Sequence, residues 1–250
     1  MKKILLTLLL LCSLVTFSNT PNQTFSKANE LYKKGDYSKA IELYQSIDKK
    51  GLYSDDLYFN LGNCYYKLNK VAPSIYYYEK ALKLNPAHED ALINIDFAKR
   101  MTIDVVEELP KTFLQRFSAN IIQKFSFDTW AIFAVIASFL TGLLFLLYYF
   151  SFTSKLKLFL FNISTVAFFS MMVFSFFAFK NYNFVENNRN GIIFSEKVSV
   201  NNSPTLDGEE VFVLHEGTKV RIEEEIDNWV KIKLTDGKIG WIYADKLKEI

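Results

Sequence analysis

The stretch DLYFNLGNCYYKLNKVAPSIYYYEKALKLNP, residues 56–86, decides how this chain is read. Its pattern is helical, and it repeats its upstream neighbour at an offset of 34 residues. Ala28, Asn29, Leu31, Tyr32 and Lys33 recur as Gly62, Asn63, Tyr65, Tyr66 and Lys67, and Tyr44 recurs as Tyr78. Phe25 recurs as Phe59 and again as Ile93. A fixed period of this length marks stacked supersecondary units, each unable to bury its apolar face alone. Within each unit the small residues (Ala28 or Gly62, Ala40 or Ser74) let two antiparallel helices approach closely. The bulky ones (Leu31 or Tyr65, Tyr44 or Tyr78) fill the space between them.

Tyr58, Leu61, Gly62, Tyr65, Tyr78, Ala81 and Pro86 carry a resemblance to the tetratricopeptide repeat, and Gly35 to Ile41 supply the usual turn and second-helix start of the first unit. The departures are Pro73, tolerable in a first helical turn, and Ser74 in place of the usual Ala. Glu89 to Met101 reads as a lone capping helix, with Leu92, Ile95 and Ala98 available to cover the preceding pair. The expected repeat domain is 21–104, two repeats and a cap.

Upstream, Met1-Lys2-Lys3, an apolar run from Ile4 to Phe17 and small residues at Thr16 and Ser18 fit a secretory signal peptide, 1–18, cleaved after Ser18. An uncleaved anchor helix would give the same topology. Cys12 has no small residue just before it, which argues against a lipoprotein cysteine.

Downstream, residues 105–128 read as a connector broken at Pro110. From Lys111 on, Leu114, Phe117, Ile121 and Phe125 fall at helical spacing, opposite Arg116, Asn120 and Gln123. This is either an amphipathic helix on a membrane surface or a helix packed on the repeats. Residues 129–154 and 158–179 hold no charge, and each is long enough to cross a hydrocarbon core of about 30 Å. Only Lys155, Leu156 and Lys157 lie between them, so the expectation is a tight transmembrane hairpin with a cytoplasmic loop. Trp130, Tyr148 and Tyr149 would sit at the interfaces, and Ala134, Ser138 and Gly142 form a small-residue stripe suited to close helix packing. The absence of ionisable groups in the spans argues against a transporter or pump.

After an Asn-rich linker, 181–190, the pattern changes to short alternating strands over 191–250. Val230, Ile232 and Leu234 alternate with Lys231 and Lys233, and Asp236-Gly237 is a tight hairpin signal. Leu214-His215-Glu216-Gly217, Trp229-Val230-Lys231-Ile232 and Asp236 to Ile242 resemble the bacterial SH3 family, which implies a small barrel that binds peptides or cell-wall peptides. Trp229 and Trp241 read as core residues, and His215 as a turn residue. The predicted fold class is therefore a multidomain membrane protein: all-α tetratricopeptide helical hairpins, a two-helix transmembrane hairpin and an all-β SH3-like barrel.

This order of modules resembles the BatE family of Bacteroides aerotolerance operons. The resemblance implies an inner-membrane protein with both outer domains in the periplasm. It also implies partners: a MoxR-type AAA ATPase system and membrane proteins with von Willebrand factor A domains. Composition narrows the function classes. Net charge is +2 from 29 basic and 27 acidic residues, with no basic excess to recruit nucleic acid. Two cysteines and two histidines supply neither a disulfide framework nor a metal-ligand spacing, and no phosphate loop or nucleophile setting occurs. No cofactor is implied and an enzyme is disfavoured. The leading reading is a periplasmic adaptor binding protein partners, and the alternative is an envelope protein whose SH3-like domain binds peptidoglycan peptides. The candidate partner-binding residues are Asn29, Tyr32 and Lys33, at i, i+3, i+4 on one helix side, and their counterparts Asn63, Tyr66 and Lys67. By resemblance this side lines a concave groove, where amides can pair with a peptide backbone and lysines attract carboxylates. These residue types are also common at such positions whatever the ligand.

Overall fold

The computed structural model describes residues 20–107, 109–110 and 112–250, so the expected signal peptide and Cys12 lie outside the described residues. The repeat domain comprises α1 (Thr20–Lys33), α2 (Tyr37–Asp48), α3 (Asp55–Lys67), α4 (Val71–Leu84) and α5 (Glu89–Lys99). Local chemistry sets the helix starts. The Asp36 carboxylate accepts the Lys39 N–H at 3.4 Å, and Ser54 Oγ accepts the Leu57 N–H at 3.1 Å. Asp55 and Asp56 follow in the first turn of α3, where the helix dipole favours negative charge. Pro73 falls in the first turn of α4, where its missing N–H costs no helical bond. Ala28, Ala40, Tyr44, Leu57, Leu61 and Ala81 form one buried cluster between the hairpins. At Gly62 a Cβ would lie 2.5 Å from Tyr78 Cδ1, so the glycine is what admits the tyrosine ring between the two helices.

Two long apolar helices follow, α7 (Phe127–Phe150) and α8 (Ser154–Asn187), packed against each other. Both are long and apolar enough to cross a membrane. Their ends differ from expectation. The turn between them is Ser151-Phe152-Thr153, and Lys155-Leu156-Lys157 lie inside the first turns of α8. Lys and Leu are good helix formers, whereas Ser and Thr compete with the helix through side-chain bonds, so the reversal settles on the Ser/Thr segment. The segment 181–187, expected as linker, is the last two turns of α8. Asn is a weak helix former, and here tertiary bonds override it: Asn181 Nδ2 donates to the carbonyl oxygens of Ile122 and Phe125 at 3.4 and 2.6 Å.

Those carbonyls belong to the segment before α7. The amphipathic stretch is a single short helix, α6 (Phe113–Phe117), closed by a capping box between Thr112 and Gln115, followed by a wider π-type turn, Ser118–Ile122. Ile122 is buried, and its carbonyl also accepts Trp130 Nε1–H at 2.8 Å. On the expected apolar face Leu114, Phe117 and Ile121 are 75%, 39% and 41% exposed, and Phe125 packs edge-on against Trp130.

The C-terminal domain is a seven-stranded antiparallel sheet with strand order β3-β2-β6-β5-β4-β1-β7. Its strands are β1 (Asn190–Ile193), β2 (Lys197–Asn201), β3 (Glu210–His215), β4 (Lys219–Ile226), β5 (Trp229–Lys233), β6 (Ile239–Tyr243) and β7 (Leu247–Glu249). Asp236-Gly237 makes the β5–β6 hairpin, with Gly237 at φ +95°. Ile193, Val200, Ile232 and Ile242 are fully buried in its core.

Candidate functional site

The six candidate residues fall on α1 and α3, and the structure divides them by role. Asn29 and Asn63 head two rungs of one hydrogen-bond ladder. The Asn29 side-chain oxygen accepts from Tyr44 Oη–H of α2, and from Asn60 Nδ2 of α3 at 3.3 Å. One repeat later the Asn63 oxygen accepts from Tyr78 Oη–H at 2.7 Å and from Asn94 Nδ2 of α5 at 2.8 Å. The two amide oxygens thus stitch the hairpins to one another, and Asn63 is buried. Burial also raises the Tyr44 and Tyr78 phenols above their ordinary range, which keeps both as neutral donors. Tyr32 and Tyr66 are half-buried: Tyr32 packs edge-on against Tyr37 at 5.3 Å, and Tyr66 packs beside the cluster around Tyr78. Lys33 and Lys67 are exposed and leave two cations on this side. Cys64, between the rungs, is fully buried, and burial pushes its thiol up to about 12, so it is a packing residue and not a nucleophile.

A second constellation joins the repeat domain to the sheet. Successive residues of a strand point to opposite faces, and β1 uses both. Ile193 enters the sheet core, whereas Ile192 enters a cluster with Ala72, Ile75, Tyr78, Ile95 and Ala98 of the repeats. Around this apolar plug stand two charged clasps. Glu79 of α4, 9% exposed, bonds Lys219 of β4 at 2.6 Å and lies 3.6 Å from Lys99 of α5. Asp104, just past α5, accepts from the His215 backbone N–H at 2.7 Å and from Thr218 Oγ1 at 2.6 Å, and lies 2.7 Å from His215 Nδ1. Burial works to raise the Asp104 carboxyl, but the bonds from Thr218 and His215 outweigh it and hold the group below the usual carboxylate range. Gly217 makes the approach possible: a Cβ there would lie 2.8 Å from Thr102 Cγ2 and 2.9 Å from Val71 Cγ1. Beyond Asp104, Val106 packs on the sheet core and the Leu109 N–H donates to the Thr235 carbonyl at 3.2 Å. The start of the stretch expected as a connector is therefore a strap bound to the sheet.

Residues 56–88 match the tetratricopeptide repeat family, and residues 198–248 match the bacterial SH3 domain family. No curated protein matches the chain. Tetratricopeptide repeats and bacterial SH3 domains are binding modules, typically non-catalytic, and they suggest protein–protein or peptidoglycan-binding roles. The matched repeat covers α3 and α4, which carry the Asn63–Tyr78 rung and the Glu79 clasp.

Several functional residues escaped the sequence reading. His215, read as a turn residue, is a partner of Asp104 across the domain boundary. Of the two tryptophans read as core, Trp241 is buried, whereas Trp229 is only half-buried and stacks on Tyr243 at 4.0 Å. The seam did leave one trace in the sequence. Gly191-Ile192-Ile193-Phe194 is a continuous apolar run, which in a sheet domain marks a strand covered on both faces.

Proposed function

We infer that the protein is a membrane-anchored adaptor whose repeat domain and SH3-like domain form one outward-facing binding head. The docked seam carries this reading. Domains that share Ile192, the Glu79–Lys219 pair and the Asp104–His215 pair must stand on the same side of any membrane that α7 and α8 cross. A two-span hairpin satisfies that condition, and a signal peptide at 1–18 makes the shared side the periplasm of an inner (cytoplasmic) membrane. The exposed Phe113 and Leu114 support α6 as a juxtamembrane element resting in the interface. The order of modules supports membership of an aerotolerance-type complex with von Willebrand factor A domain membrane proteins and a MoxR-type AAA ATPase system. Lys33 and Lys67 on the groove side suit an acidic peptide from such a partner. Alkaline phosphatase fused after Arg100 and, separately, at Ile250 tests the arrangement. Both fusions are expected to be active, and an inactive fusion at either point would refute it.

A second reading rests on the SH3-like domain alone. The Trp229–Tyr243 stack is half exposed on the sheet, and aromatic rings with a polar edge are enriched at binding interfaces. Retention of the detergent-solubilised protein on purified peptidoglycan, abolished by Trp229→Ala, would favour this reading over the adaptor.

A further inference from the structure

Two residues, Asn188 and Arg189, separate the end of α8 from the start of β1. At about 1.5 Å per residue the 34 residues of α8 span about 51 Å, against ~30 Å for a hydrocarbon core. Its uncharged stretch ends before Lys180, so the segment from there to Asn187 stands beyond that core. Both junction residues are held. The Asn188 backbone N–H and its Nδ2 donate to the Phe184 carbonyl at 3.0 and 2.8 Å, which closes the helix end. Arg189 Nε donates to Glu249 at 2.7 Å, and its Nη2 donates to Glu249 and to Glu225 at 2.5 Å each, so one guanidinium grips β7 and β4. Half-exposed ion pairs alone hold little. Here the main chain is bonded as well: the Arg189 carbonyl accepts the Ile222 N–H at 2.8 Å, and the Asn190 carbonyl accepts the Ile250 N–H at 2.9 Å. β1 then pairs with β4 on one side and β7 on the other, and carries Ile192 into the repeats.

The foot of the protruding segment is fixed too. Buried Asn181 holds the Ile122 and Phe125 carbonyls, and Trp130 Nε1–H reaches the same Ile122 carbonyl. Phe127 packs edge-on against Tyr182 at 5.6 Å. The start of α7 is thereby tied to α8. The route from α7 back to the head differs in kind. The strap makes its last bond to the sheet at Leu109, and Pro110 and all residues from Thr112 to Phe117 are exposed. A segment with so little buried surface has low local stability and bends at small cost. The head therefore has one stiff connection to the hairpin, through α8, and one soft connection, through α6.

We propose that α8 is a rigid arm that sets the direction in which the binding head faces, so that a tilt or rotation of this helix in the bilayer is carried to both modules together, while the α6 route exerts no such hold. The proposal rests on the reading of α7 and α8 as spans. A membrane protein that packs on the hairpin and turns it would thereby re-aim the head. Distances between paired spin labels on the full-length protein test this. Cys12→Ser removes one thiol, and Cys64 is fully buried. The label sites are exposed: Val166→Cys on α8, Glu42→Cys on α2 and Ser199→Cys on β2. The distances from Val166 to Glu42 and from Val166 to Ser199 are each expected to give one narrow peak, in nanodiscs and in detergent. Two glycines inserted after Asn188 should abolish both narrow peaks, and Arg189→Ala should broaden them. The same insertion after Pro110 should leave both as they are. The distance from Glu42 to Ser199 lies within the head and should stay narrow throughout, which separates uncoupling from unfolding. Broad peaks from Val166 in the uninterrupted chain, beside a narrow one within the head, would overturn the arm. So would narrow peaks that survive both changes at the junction. Loss of the peaks on insertion after Pro110 would overturn the assignment of the stiff connection to α8 alone. Incorporation into nanodiscs reports on the spans and the peaks in detergent report on the arm, so the two readings fail separately.

Discussion

Asp104 and His215 are 111 positions apart in the chain and are joined twice, through the His215 backbone N–H and through its ring Nδ1, each at 2.7 Å from a carboxylate oxygen. An ionised carboxylate only accepts, so this pairing assigns the ring hydrogen to Nδ1. Thr218 Oγ1 donates to the same carboxylate at 2.6 Å. Asp104→Ala removes both accepting oxygens and leaves these donors unsatisfied at a half-buried seam. It should weaken docking by about 2–4 kcal/mol. Hydrogen exchange of the full-length protein should quicken in 102–107 and 215–219 while α2 stays protected. Unchanged exchange in both segments would refute the clasp.

The same clasp sets a pH dependence. The Asp104 carboxyl is held below its ordinary value of 3.8 in the folded protein. A depressed carboxylate contributes stability above its unfolded value and loses it as pH falls through the folded one. Docking should therefore be insensitive to this group at neutral pH and weaken below about pH 4. Exchange rates at 215–219 measured at stepped pH should show this acid limb, and Asp104→Ala should lack its share of it.

Gly62→Ala tests the close approach of α3 and α4. The added methyl carbon would meet the Tyr78 ring at 2.5 Å, and that ring is itself fixed by the bond to Asn63. Overpacking of this kind costs about 1–3 kcal/mol. Circular dichroism should record a lower melting temperature for the helical signal, and an unchanged one would mean that the rung relaxes freely.

Lys33→Glu combined with Lys67→Glu reverses charge on exposed side chains, so folding should be nearly unaffected. If an acidic peptide occupies the groove, partner recovery in a pull-down should fall sharply, most of all at low salt where screening is weakest. Full recovery with the folded double variant would shift binding to the SH3-like domain.

Cys64 should be silent toward thiol reagents in the folded protein, because it is fully buried and its thiol is pushed up to about 12. Unfolding should release one reactive thiol if cleavage after Ser18 removes Cys12, and two if the N-terminal segment is retained. A thiol titration in denaturant separates the two cases.

Periodicity made the helical hairpins, the apolar pair and the strands legible, because each is a local pattern of burial. Gly62 opposite Tyr78 and the turn at Asp236-Gly237 were readable for the same reason: a short stretch of chain contains both the constraint and the residue that meets it. The candidate partner-binding residues were only half legible. Spacing placed Asn29 and Asn63 on one side of their helices, but it could not reveal that their oxygens are taken by Tyr44, Asn60, Tyr78 and Asn94.

By itself, the sequence determined which segments are helix, apolar helix or strand except at 181–187, where tertiary bonds of Asn181 override local propensity, since backbone propensity and the polarity of neighbouring residues are local quantities. Only the tertiary structure decided that two binding modules become one head. Ile192, Gly217, Asp104 with His215, and Glu79 with Lys219 acquire their roles from contacts with residues far away in the chain, and no local pattern records which distant surface a side chain will meet.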